Sequence, residues 1–281
     1  MRLVIDSNQL QAPELRAYLS ASTANYAVLT DYVAMEAYKG DTLSSIYKSM
    51  SIICEYPKQV IVLKSTRVAC GQRGRLSGLQ RRLIDDKQTL EFPKYAKHLA
   101  MAKNGEKKYI DAIVAHGKEA NAHMETLLRD ATEVGIAIEE VSKDFTKEER
   151  AAFREGNDLQ PHELMKAQKK IMLIAANLFK SHPEARWWPT AKEFPYTFIL
   201  RSSLCMYLLA LDWAANGGVR GVSAEKLRND VVDMNFATYG TYFEGLLSRD
   251  AKTIRLHQEA RLWLSGLFGC EIPGGVLGRS I

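Results

Sequence analysis

The chain opens on a short apolar run, Leu3-Val4-Ile5, that stops at Asp6. A brief apolar run bounded by turn residues suits a strand buried on both faces, and Ser7-Asn8 supplies the turn. Residues 1–6 are therefore expected to form a strand. Pro13 is expected to open a helix running to about Ser20, because proline is tolerated in a first turn. Tyr26–Leu29 reads as a second strand. A helix follows it, capped by Thr30 and Asp31 and reaching about Tyr38. A further helix is expected over Leu43–Ile53. After Pro57, the β-branched run Val60-Ile61-Val62-Leu63 suits an interior strand. Strands alternating with helices predict an α/β parallel sheet.

That rhythm then stops. From about Gly74 to Asn216 the pattern is helical, with expected helices at Arg75–Asp86, Phe92–Lys103, Glu106–Glu133, Lys147–Glu155, Pro161–Lys180 and Thr190–Asn216. Asn104-Gly105, Asn157, Pro183 and Asn216-Gly217-Gly218 mark the breaks. The α/β pattern resumes near Ser223 with a helix to about Asp233, a second to about Phe243, a short strand at Leu246-Leu247 and a last helix over Ala251–Phe268. The organisation expected is an α/β core made of residues 1–65 and 220–268, a mostly helical insertion over 66–219, and a mobile tail over 269–281 containing Pro273, Gly274, Gly275 and Gly278. Within the insertion, Ile110, Ile113, Val114, Leu127 and Leu128 form one apolar stripe. Ile171, Met172, Ile174, Ala175 and Leu178 form another. The favoured reading is insertion core; the sharper alternative is a face for self-association or for a regulatory protein.

Composition narrows the class. With 281 residues, 46% hydrophobic and 25% charged, the chain has globular proportions and is not a disordered polymer. Cys54, Cys70, Cys205 and Cys270 form no C-x-x-C pair, so neither a disulfide framework nor a zinc ribbon is indicated, and a reducing cytoplasm is the expected compartment. No unbroken apolar run approaches the roughly 18 residues of a membrane span, so no membrane segment is expected. MRLVIDSN lacks the apolar stretch of a secretory signal. The six histidines show no HExxH. G-x-S-x-G, Walker A and G-x-G-x-x-G loops are also missing. A net charge of +5 is compatible with a polyanionic partner.

Active sites of parallel α/β sheets lie beyond the C-terminal strand ends. Asp6 closes the first strand, Asp250 follows the Leu246-Leu247 strand, Asp233 lies on the preceding helix, and Glu36 lies on the helix after the second strand. Asp230 is the second choice to Asp233. Asp31 reads as a helix cap. Carboxylates gathered on one rim repel, and a divalent cation relieves the repulsion. Oxygen donors select Mg²⁺ or Mn²⁺, ions suited to phosphodiester hydrolysis.

Val4-Ile5-Asp6-Ser7-Asn8, Leu29-Thr30-Asp31-Tyr32-Val33-Ala34-Met35-Glu36, and Asp233 through Leu247-Ser248-Arg249-Asp250 resemble the motifs of PIN-domain nucleases. Asp6, Glu36, Asp233 and Asp250 match that family's four acidic positions in order. Ser248 matches its small hydroxyl, and Asn8 would brace the first turn. The resemblance covers roughly residues 1–65 and 220–268. It implies a PIN-like sheet flanked by helices and a Mg²⁺- or Mn²⁺-dependent endonuclease, with RNA favoured over DNA. It also implies in-line attack by an activated water, leaving 5′-phosphate and 3′-hydroxyl ends. A toxin or phage-defence role is an analogy with the family. The alternative is a catalytically inactive PIN-like nucleic-acid-binding or scaffold protein. A doubly wound phosphatase is a further rival, disfavoured because Asp6-Ser7-Asn8 lacks a second acid.

Between Lys64 and Arg82 lie Lys64, Arg67, Arg73, Arg75, Arg81 and Arg82, three glycines (Gly71, Gly74, Gly78) and no acid. Arginine pairs bidentately with phosphate and glycine admits a close backbone, so this stretch is the expected nucleic-acid grip. A solvated loop and helix is the plain alternative. Trp187 and Trp188, with Pro189 after them, read as packing at a helix junction, with base stacking as the alternative.

Overall fold

A computed structural model describes residues 1–38, 43–143, 145–155, 160–219 and 221–276; the side chains of part of 123–137 and of 142, 152 and 153 are also outside the description. Asn157 and Gly278 fall outside the described residues, as do the side chains of Leu127 and Leu128. The fold is α/β and mostly helical, built on a four-stranded parallel sheet: β1 (Arg2–Ile5), β2 (Tyr26–Leu29), β3 (Val60–Val62) and β4 (Gly245–Leu247), in the order β3-β2-β1-β4. Leu3, Val4, Ile5, Ala27 and Val28 are fully buried. Strands covered on both faces read as unbroken apolar runs rather than as alternation. Val4 pairs with Val28 on one side and with Leu246 on the other, which places β1 in the middle.

The chain moves outward from β1 through β2 to β3, then returns to the other side of β1 as β4. The crevice at the C-terminal ends of β1 and β4 is therefore the switch point where α/β sheets carry ligands. The helices that lead there are α1 (Pro13–Ser20), α2 (Asp31–Tyr38), α3 (Leu43–Glu55), α11 (Ala224–Gly240) and α12 (Ala251–Phe268). Thr30 caps α2, its hydroxyl oxygen accepting from the Val33 N–H at 3.3 Å.

The middle of the chain forms α4 (Thr66–Cys70), α5 (Leu79–Leu83), α6 (Asp86–Lys103), α7 (Lys107–Ser142), α8 (Lys147–Arg154), α9 (Pro161–Ser181) and α10 (Phe198–Ala215). Here the expectations shift. Arg75–Asp86 is not one helix. Gly78 adopts a left-handed conformation (φ 67°) that breaks it, and Asp85 caps a new helix by accepting from the Gln88 N–H at 2.9 Å. The helix expected over Thr190–Asn216 begins only at Phe198, where the Thr197 hydroxyl accepts from the Leu200 N–H. The two helices expected between Ser223 and Phe243 are the single helix α11. Helix α7 runs on well past Glu133, to Ser142.

Leu83, Phe92, Leu99, Ile113 and Phe198 share the sheet's apolar core. A second cluster joins α9, α10, α11 and α12 through Ile171, Ala175, Leu204, Leu208, Ala237 and Leu264. So Ile113 and Ile171 bury their stripes, whereas Met172 is 45% exposed. Helix α10 is long and apolar enough to cross a membrane by length and composition, which the unbroken-run criterion missed because Arg201 and Asp212 interrupt it. Its apolar surface is mostly buried within the protein.

The described part of the tail is docked. The buried Arg261 side chain of α12 donates to the carbonyls of Gly240 (3.4 Å), Phe243 (3.2 Å), Pro273 (2.5 Å) and Val276 (3.4 Å), and to that of Gly275. Burial and the neighbouring Arg201 push its pKa down to about 10. Arg261→Met would leave several buried carbonyls unpaired. It is expected to cost about 3 kcal/mol or more, read as a lower denaturant midpoint. An unchanged midpoint would show that the tail is not held this way.

Candidate active site

Asp6 follows β1 directly, and its own N–H continues the ladder to the Leu247 carbonyl at 3.0 Å. Backbone pairing of β1 with β4 thus fixes the distance between the loops that follow them. Asp6 is 1% exposed. Its Oδ2 accepts from the Ser248 hydroxyl at 2.5 Å and from Asn8 Nδ2 at 2.7 Å. Ser248 Oγ in turn accepts from the Asp250 N–H at 3.0 Å and from Asn8 Nδ2 at 3.3 Å. Asn8 Oδ1 accepts from the Arg249 N–H at 3.0 Å. One hydrogen-bonded web therefore joins two loops 242 positions apart in sequence. Asp250 also caps α12: its Oδ1 accepts from the Thr253 N–H at 2.7 Å and from the Thr253 hydroxyl at 3.0 Å.

Asp233, on α11, completes the group. Burial, then the charges of Asp6, Asp250 and Asp230, push its pKa up to about 8, and Lys252 pulls the other way. Burial likewise raises the pKa of Asp6, with the Ser248 and Asn8 hydrogen bonds opposing and the Asp250 charge adding. The structure thus brings Asp6, Asp233 and Asp250 into one electrostatic group.

Asp230, the second choice, is engaged by Lys252 Nζ at 2.8 Å. Glu36 is half-buried on α2, between the buried Met35 and Ala37. Asp31 acts across elements rather than as a simple cap of its own helix. Its carboxylate accepts from the Thr66 N–H at 2.8 Å and the Thr66 hydroxyl at 3.0 Å, fastening α4 to α2.

Lys252 is a residue of the site that the pattern of acids does not reveal. It lies in the first turn of α12, two residues after Asp250, and reaches Asp230, Asp212 (3.5 Å) and the face of Trp213 (4.8 Å). Its signal was that spacing: a cation in the same helical turn as a candidate ligand, on an element already expected to lie on the rim.

An all-oxygen donor set fits a hard divalent cation. Asp6, Asp233 and Asp250 would hold it. Among the described residues, no three His, Cys, Asp or Glu side chains are grouped so that they could hold a metal ion between them. Mg²⁺ needs no such group, since it commonly takes one or two carboxylates and keeps several waters.

The basic stretch divides. Lys64 Nζ donates to the Arg82 carbonyl at 2.9 Å. The Arg82 guanidinium donates to the carbonyls of Arg73 (3.0 Å), Ser77 (2.6 Å) and Arg75. These two residues hold the loop itself. Arg67, Arg75 and Arg81 are exposed and pair with Glu184 (3.1 Å), Glu193 (3.4 Å) and Asp86 (3.1 Å). Two of the three glycines, Gly71 and Gly74, admit protein backbone rather than phosphate. A Cβ at Gly74 would sit 2.0 Å from the Glu193 carbonyl oxygen, and one at Gly71 3.0 Å from that of Glu184. Trp187 packs as expected, against Phe179, with its Nε1–H donating to the Gly71 carbonyl at 3.1 Å.

No protein-family model, curated protein or solved structure matches the chain significantly.

Proposed function

We propose that this chain is a PIN-like, Mg²⁺- or Mn²⁺-dependent endonuclease acting on RNA in preference to DNA. The observation that carries the reading is the Ser248 bridge: one hydroxyl donates to Asp6 and accepts from the Asp250 backbone, beside Asp233, at the C-terminal rim of the sheet. Three buried or half-buried carboxyls placed together raise the energy of the empty site, and a protein keeps such a group where charge must be delivered.

The chain's own contribution is positional. Ser248 and Asn8 hold the Asp6 carboxylate in one orientation, and Thr253 holds Asp250 through one oxygen. A divalent ion there would polarise a phosphoryl oxygen and lower the pKa of water. The exposed Arg67, Arg73, Arg75 and Arg81 supply positive charge for the phosphate backbone.

The rival reading is a PIN-like module without catalysis. It draws on Lys252 and on the raised pKa of Asp233, which together relieve the cluster with no metal. Purified protein incubated with mixed RNA and DNA, with Mn²⁺ or with EDTA, separates the two. Cleavage of RNA only in Mn²⁺, with 5′-phosphate ends on sequencing, is the expected result. Intact nucleic acid in Mn²⁺ would favour the inactive module, and full cleavage in EDTA would discard the metal.

A further inference from the structure

The two adjacent tryptophans do different things. Trp187 is half-buried and tied to Gly71, whereas Trp188 is 60% exposed. An exposed indole on a mobile loop would be ordinary, but this one is braced. Its ring lies 5.4 Å from that of Phe179 and 6.4 Å from that of Phe194, nearly parallel to the latter at 29°. The following Pro189 is buried. The ring is therefore held in place with much of its surface in solvent.

Its surroundings are cationic and belong to the stretch that leaves β3. The Arg73 guanidinium lies over the Trp187 ring at 5.1 Å, and Arg67 reaches Glu184 in the same loop. Close backbone contacts at Gly71 and Gly74 interlock the tryptophan loop with the arginine loop, so the two make one surface. The exposed pairs Arg67–Glu184 and Arg75–Glu193 are each worth little in water, and phosphate competes for an arginine fork. That surface continues toward the N-terminal end of the sheet: the Gln80 side chain accepts from Arg2 Nη1 at 2.8 Å and donates to the Tyr242 carbonyl at 2.9 Å, at the start of β1 and just ahead of β4.

We propose that Trp188 is a base-stacking platform, and that Arg67, Arg73 and Arg75 hold the backbone of the single-stranded nucleic acid whose base stacks on it. Duplex bases already stack on one another, whereas an unpaired base offers a free face to an indole, and stacking of this kind tolerates any sequence. The inference rests on the nuclease reading for its class of ligand, and it names the strandedness of that ligand.

Binding is measured by fluorescence anisotropy in EDTA, so that no cleavage occurs. The probes are a labelled twelve-nucleotide RNA of mixed sequence, the same strand in a duplex, and an abasic strand of equal charge. Trp188→Ala is expected to weaken single-strand binding about tenfold or more and to leave abasic binding unchanged, while Trp188→Phe keeps most of the affinity. The salt slope is expected to stay the same in Trp188→Ala and to fall in an Arg73→Glu, Arg75→Glu double variant. Equal single-strand affinity of Trp188→Ala and the unsubstituted chain overturns the platform, as does preference for the duplex, and either assigns the ring to protein docking. Stacking-dependent binding without cleavage in Mn²⁺ keeps the platform and retires the nuclease. Cleavage with affinity indifferent to Trp188 does the reverse.

Discussion

Asp6→Asn is expected to lower RNA cleavage in Mn²⁺ by roughly 10³-fold, about 4 kcal/mol of lost transition-state stabilisation, while the protein melts at a higher temperature. Both halves follow from the same contacts. The amide oxygen of the substituted side chain can take the place of Asp6 Oδ2 and still accept from Ser248 and Asn8 Nδ2, while its NH₂ group gives up the long 3.4 Å bond from the Asn8 N–H and meets the Ser7 hydroxyl, which can turn to accept. The web survives and one buried charge leaves a group of three acids. Buried like charges destabilise the metal-free fold, so removing one helps stability and harms only what the charge is for. Activity is read by the initial rate of fragment release, and stability by thermal melting in EDTA. A variant that melts lower and is inactive would mean Asp6 is a structural cap. Full activity would remove it from the site.

The second large effect is on the pH dependence of stability. The pKa of Asp233 is raised from 3.8 to about 8, chiefly by burial and then by Asp6, Asp250 and Asp230. The folded protein therefore holds a proton that the unfolded chain releases above its own carboxyl pKa. That contribution is fully present below pH 3.8 and is lost as pH rises toward about 8. Its full size is on the order of 5 kcal/mol, at about 1.4 kcal/mol per pH unit. Asp233→Asn is expected to abolish this slope and to melt about 10 °C higher than the unsubstituted protein at pH 8 in EDTA. Coincident melting curves for the two proteins from pH 5 to 8 would show that Asp233 is not in the acid group. The same proton competes with any cation, so Mn²⁺ uptake is expected to strengthen across this window.

How far the sequence revealed these features depended on the range of the forces involved. β1 and β2 were legible because an apolar run ended by a polar turn has one reading in a covered parallel sheet. Helices α1, α2 and α12 were legible from Pro13, Thr30 and Asp250, each a local signal at the helix start. The region 75–86 was not, because the Arg82 guanidinium binds three carbonyls of its own loop, and composition cannot separate that use of arginine from a phosphate grip. The tail was misread for a similar reason: Pro273, Gly274 and Gly275 look mobile until the buried Arg261 is seen to bind the carbonyls of Pro273 and Gly275.

In the site, Asp6, Ser248 and Asp250 were legible as strand-end residues, since backbone pairing of β1 with β4 dictates that they meet. Glu36 was legible only as an acid on the helix after β2, since a helix position alone does not fix what its side chain meets. Lys252 belongs to no acidic motif, although the charge that balances an acid group is part of the same electrostatics.

The most direct test is a Mn²⁺ titration followed by electron paramagnetic resonance at pH 8, comparing the unsubstituted chain with Asp6→Asn. Uptake of Mn²⁺ by the former, weakened at least about tenfold in the latter, is the predicted result. No uptake, or equal uptake by both proteins, would contradict the claim that Asp6, Asp233 and Asp250 form a divalent-cation site.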